Sequence, residues 1–197
     1  AALSLLSVKW PGPTFAGLVV VAAGMLVLIS GYATYQRNFI WGNPIRLWQD
    51  VVDKSPDKGR ALNNLGVALE DAGRRQEAIR VLSRAIERDP GYFKAYYNLA
   101  DLYLVSDRPD LSLPLLETAI RLNPGFREAY VSVGAALMRS GRFRDVTIFL
   151  EKNMDRVRGN AEAHYYLGAS YAFQGNRQAA MRELAIVSEL DAELASS

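Results

Sequence analysis

The chain has 197 residues, 50% of them apolar and 22% charged, with a formal net charge of +2. That length suits one domain with some extra chain, and that composition allows a sizeable core. From Gly59 to Leu194 there are 18 basic and 18 acidic side chains, so the basic face needed to neutralise phosphates is missing and no nucleic-acid binding is expected. There is no cysteine and a single histidine, His164, which excludes disulfides, thiolate nucleophiles, zinc–thiolate sites and any two-histidine metal site. No glycine-rich phosphate loop or nucleophile elbow occurs either, so no catalytic, cofactor-binding or metal-binding residue is expected.

Residues 1–13 are apolar at first (AALSLLSV) and then turn through Lys9-Trp10-Pro11-Gly12-Pro13. They read as the end of a preceding membrane helix and a loop, or as an apolar tail on a single-span protein. No charged side chain lies between Lys9 and Arg37. A helix over 14–36 reaches roughly 30 Å, the thickness of a bilayer's hydrocarbon core. Trp10 precedes it and Tyr32, Tyr35 and Trp41 lie at or after its end, where an interfacial aromatic belt belongs. The alternatives are a signal peptide and a buried core helix; the first wants a basic start and a shorter apolar core. A transmembrane helix is expected.

Residues 37–58 form a junction. Asn43-Pro44 reads as a cap followed by a first-turn proline, so a lone helix is expected over 44–54.

Beyond it the chain repeats itself. Gly66, Ala100, Gly134 and Gly168 are 34 residues apart, as are Leu65, Leu99, Val133 and Leu167, and Leu82, Leu116, Leu150 and Leu184. A period of 34 with these columns is identified as that of the tetratricopeptide repeat (TPR). The frame gives four repeats, 59–92, 93–126, 127–160 and 161–194. An all-α, right-handed superhelix of a half-repeat and four helix pairs is expected after the transmembrane helix. Small residues at position 8 and mostly at 20 (Ala78, Ser112, Ala180) let paired helices approach. Gly73, Gly141 and Gly175 at position 15 end the first helices with positive φ; repeat two has Asp107 there. Its second helix is expected to start near Asp110, putting Pro114 in the first turn. Repeat three, with Val146, Asn153 and Arg158, is the least regular, with one second helix expected over 143–156. Leu184, Val187 and Leu190 are expected to lack a cover. His164 occupies the packing position of Leu62, Tyr96 and Tyr130, and phenylalanine is expected to be tolerated there.

TPR first helices line a concave face through positions 2, 5, 9 and 12. The resemblance therefore implies a groove for a protein or peptide segment. Position 6 resembles the asparagine ladder of O-GlcNAc-transferase-like superhelices at Asn64 and Asn98, stopping at Ser132 and Tyr166. The candidate contacts are Asn63, Asn64, Lys94, Tyr97, Asn98, Asp101, Met138 and Tyr165, with the tyrosine rings largely exposed.

The junction Tyr35-Gln36-Arg37-Asn38-Phe39-Ile40-Trp41, then Leu47-Trp48 and Ser55-Pro56, resembles multi-pass bacterial TPR proteins and the animal transmembrane-and-TPR O-mannosyltransferases. Two functions follow as expectations: a scaffold or subunit of a membrane complex, or the presenting region of a multi-pass membrane glycosyltransferase. The resemblance implies a bacterial inner membrane with the repeats periplasmic, whereas Arg37 and Arg46 against Lys9 would favour the cytoplasm.

Overall fold

The computed structural model describes residues 13–196, so the expected loop and tail over 1–12 lie outside the described residues. Among the described residues every regular element is helical. The chain divides into two compact units, Ala1–Leu47 and Trp48–Ser197.

The first unit is dominated by α1, Pro13–Trp41. Its stretch Gly17–Gln36 has a mean hydropathy of 2.0 with none of it buried, long and apolar enough to cross a bilayer. The helix runs five residues past the expected end at 36. Tyr35 and Phe39, one turn apart, stack with centroids 6.3 Å apart, and the Arg46 guanidinium lies 4.1 Å over the Phe39 ring. The aromatic junction is thus the last turn of α1. α2 then begins at Pro44, as expected, and runs to Lys54. The Asn43 side-chain oxygen accepts from the Arg46 N–H at 3.2 Å, satisfying one of the free donors of a helix start.

The second unit carries the repeats. Helix pairs α3 (Gly59–Asp71) and α4 (Arg75–Arg88), then α5 (Phe93–Val105) and α6 (Pro109–Leu122), form repeats one and two. α7 (Arg127–Arg139) pairs with α8 (Phe143–Lys152) and the short α9 (Met154–Val157), and α10 (Ala161–Phe173) with α11 (Arg177–Ser196). Each pair packs on the next, and the first helices also touch one another: α3 on α5, α5 on α7 and α7 on α10. The core is the repeated set of columns: Leu82, Leu116 and Leu150 are each fully buried, as are Ala78, Ala85, Ala100 and Ala119. Position 8 needs its small residue. A Cβ on Gly66 would lie 2.6 Å from Leu82 Cγ.

All four first helices end alike. Gly73, Asp107, Gly141 and Gly175 have φ of +73°, +56°, +68° and +79°. Around each, two main-chain bonds close the helix end, such as Gly73 N–H to the Glu70 carbonyl and Arg74 N–H to that of Leu69. This Schellman closure asks for a left-handed residue, and repeat two imposes it on an aspartate.

Two expectations need correction. α6 starts at Pro109, so Pro114 lies inside the helix instead of in its first turn. It is exposed, as is Asp110, whose carbonyl loses its helical donor and is open to water. The second helix of repeat three is not continuous over 143–156 but breaks at Asn153. The Asn153 side-chain amide donates to the Phe149 carbonyl at 2.8 Å, taking the acceptor that its own backbone N–H would use. That N–H turns to Leu150 O at 3.2 Å instead. The side chain displaces the helix's own bond.

In repeat four the expectation holds for one residue of three: Leu184, the counterpart of three fully buried leucines, is 45% exposed, whereas Val187 and Leu190 are half-buried.

Candidate functional site

The first helices α3, α5, α7 and α10 lie side by side, and their shared face carries the candidate residues. Asn63 is buried, with 3% exposure. Its carbonyl oxygen accepts from the Asn98 side-chain amide at 2.8 Å, and its own amide donates to Asn64 at 3.3 Å. The three asparagines are thus joined, and they stitch repeat one to repeat two. Asn63 is no surface contact. Asn64 and Asn98 are half-buried, and Asn98 spends one amide N–H on this bridge.

Lys94 is exposed. Tyr97 is half-buried, not largely exposed, because its ring packs edge-on against Phe126 with centroids 4.9 Å apart. Met138 is also half-buried, its sulfur accepting from the Ser170 hydroxyl at 3.0 Å. Tyr165 is 52% exposed and meets Tyr166 edge-on at 5.8 Å.

The residues that converge are Tyr97 and Asp101. They share a cavity of about 250 Å³ with Leu104, Val131, Ser132, Arg139, Glu162 and Tyr166 among its walls. Burial alone holds the Asp101 carboxyl above the usual carboxylate range. Burial also raises Glu70, followed by the charges of Asp101 and Asp71. The Tyr97 phenol is pushed up by burial first, with Asp101, Glu128 and Glu162 adding to the rise and Ser132 opposing it. Tyr166 is raised by burial and then by Glu162 and Tyr165. The Arg139 guanidinium at the rim is already paired with Asp107 at 3.2 Å. Among the described residues no cluster of potential ligands could hold a metal ion.

Sequence reasoning missed Tyr166, Ser132 and Arg139; Glu162 stands at position 2 of repeat four, one of the positions that line the concave face. A signal for two of them is present: Ser132 and Tyr166 stand at position 6, in the column of Asn64 and Asn98. That column lines the groove whether or not it carries asparagine.

His164 also departs from its expected role. It is 4% exposed; one ring nitrogen lies 2.7 Å from a Glu183 carboxylate oxygen and the other 2.9 Å from the Arg158 carbonyl oxygen. Phenylalanine would strand both acceptors, so tolerance is no longer expected.

The tetratricopeptide repeat family's profile matches residues 69–137. No curated protein matches the chain, and the junction's likeness to O-mannosyltransferases gains no support. Among solved structures, "Crystal structure of MamA" is 25% identical with a TM-score of 0.71, covering 78% of this chain and 90% of that one. A MamA fragment from Desulfovibrio magneticus RS-1 is 22% identical with a TM-score of 0.70, covering 82% and 93%. The fold is a TPR-like solenoid. It resembles that of MamA, and the repeat frame of the sequence coincides with its helix pairs.

Proposed function

We propose that this chain is a membrane-anchored, non-catalytic scaffold that holds a segment of a partner protein in the groove formed by α3, α5, α7 and α10. The observation that carries the reading is the convergence of Tyr97, Asp101, Glu162 and Tyr166 on one cavity of the concave face. Tyrosines offer apolar area with a polar tip at little entropic cost, which is why they anchor interfaces. TPR-type repeats serve as protein- and peptide-binding modules, which supports the same assignment. α1 is read as the anchor because its apolar stretch Gly17–Gln36 matches a bilayer in length and has no buried share. The repeats are assigned to the periplasmic side of a bacterial inner membrane.

A photo-reactive amino acid placed at Tyr165 tests the groove in cells, with the same group at exposed Arg80 on α4 as the control. A discrete cross-linked product from Tyr165 alone is expected; equal products from both sites would move binding off the groove. Because the chain has no cysteine, Ser140→Cys supplies a single thiol for a membrane-impermeant maleimide. Labelling of spheroplasts is expected, and labelling only after lysis would place the repeats in the cytoplasm.

A further inference from the structure

The central cavity has three kinds of wall that no single apolar or acidic partner would use together. Its floor includes Leu104 and Val131, both at 6% exposure. Two tyrosines, Tyr97 and Tyr166, contribute to its sides, and two carboxylates, Asp101 and Glu162, share it. Among the described residues Asp101 makes no salt bridge, and it is held half-buried, an arrangement that costs free energy while its charge goes unmatched. Among the described residues lining the cavity the cation is Arg139, and it is turned to Asp107. We infer that this cavity receives a long basic side chain, arginine or lysine, from the partner segment held in the groove. The assignment rests on the groove reading above and names its ligand chemistry.

A lysine or arginine has an aliphatic stem that favours apolar surface and a charged head that does not. Leu104 and Val131 suit the stem. Tyrosine faces attract cations through the ring quadrupole, and a carboxylate beside them supplies the counter-charge. A bare metal ion would find no ligand cluster among the described residues and would gain nothing from the apolar floor. Bound arginine would also relieve the unmatched charge on Asp101, so empty and filled cavities differ in the free energy of the protein itself.

The test uses the full chain in detergent and blocked nine-residue alanine–serine peptides with arginine, norleucine or glutamate at the centre. Affinity is read by calorimetry, and position by competition with the Tyr165 cross-link to a labelled arginine peptide. The arginine peptide is expected to bind at least about five-fold more tightly than the norleucine peptide, with glutamate weakest. Asp101→Asn and Glu162→Gln, each isosteric, should each reduce the arginine preference. Arg80→Ala should leave it unchanged. Equal affinity for arginine and norleucine peptides, both displacing the cross-link, would overturn the cation assignment while leaving the groove intact. Arginine binding that leaves the cross-link undisturbed would overturn the cation assignment and count against the groove as well. Arginine preference that survives in both isosteric variants would also overturn it, since the carboxylates would then be idle.

Discussion

The His164 imidazole meets the main-chain carbonyl of Arg158 at 2.9 Å, and the contact is periodic. Tyr130 donates its hydroxyl to the Pro124 carbonyl at 3.1 Å, and Tyr96 donates to that of Pro90 at 3.2 Å. In each case the fourth residue of a repeat satisfies the carbonyl at position 32 of the repeat before it. The second helix of one repeat ends there, with main-chain acceptors left over. Histidine in repeat four is a substitute for tyrosine in this duty, with Glu183 occupying its other nitrogen.

His164→Phe is therefore expected to destabilise the fold by about 1–3 kcal/mol, the usual cost of stranding a buried polar partner. Urea unfolding followed by helical circular dichroism measures it. A variant as stable as the parent would show that both contacts are dispensable.

Asp107 carries the left-handed turn of repeat two at a φ of +56°, where its three counterparts are glycine. Left-handed backbone costs an L-residue about 1–2 kcal/mol, and glycine escapes that cost but loses more entropy on folding. Asp107→Gly also gives up an exposed pair with Arg139, worth little. A net gain of about 0.5–1 kcal/mol is expected. Lower stability would mean that the Arg139 pair matters more than the backbone.

Ser112 is fully buried, and its hydroxyl finds no hydrogen-bond partner among the described residues. Repeats one and four carry Ala78 and Ala180 at this position, so the space is sized for a methyl group. Ser112→Ala removes a desolvated hydroxyl and is expected to stabilise by about 1 kcal/mol. A loss in the melting temperature would reveal a partner for that oxygen.

Burial raises the Asp101 carboxyl in the folded state, so the folded protein binds its proton more tightly than the unfolded one. Stability linked to this group is thus greatest at low pH and falls as pH rises from the ordinary carboxylate range through the raised value. Asp101→Asn should melt at a higher temperature than the parent at neutral pH. That advantage should vanish below the ordinary aspartate range, where both side chains are neutral. A difference that stays constant with pH would mean that charge is not its cause.

Much of the architecture was legible in the sequence because the packing columns recur every 34 residues, and a column occupied by leucine or a small residue means the same thing each time. Helix ends at Gly73, Gly141 and Gly175 were legible for a related reason: few residues suit their backbone. The break at Asn153 was not, since it depends on one amide choosing the Phe149 carbonyl over solvent. The partners of His164 were hidden for another reason. One lies on the following helix at Glu183 and the other is a main-chain oxygen, which no side-chain pattern announces. In the groove, Asn63 looked available because its helical position faces inward. Only the structure shows it spent on Asn98, and Tyr166 brought beside Tyr97 and Asp101.

The open edge at Leu184 sets an order of events. A helix pair in such a stack is held by its own partner and by its neighbours, and among the described helices α11 packs on α10. Amide exchange should therefore be fastest in α11, slower in α8, and slowest in α4 and α6, whose buried leucines are enclosed from both sides. The described helices would then open from α11 inward, and the cavity between α5, α7 and α10 would lose its α10 wall before it lost the other two.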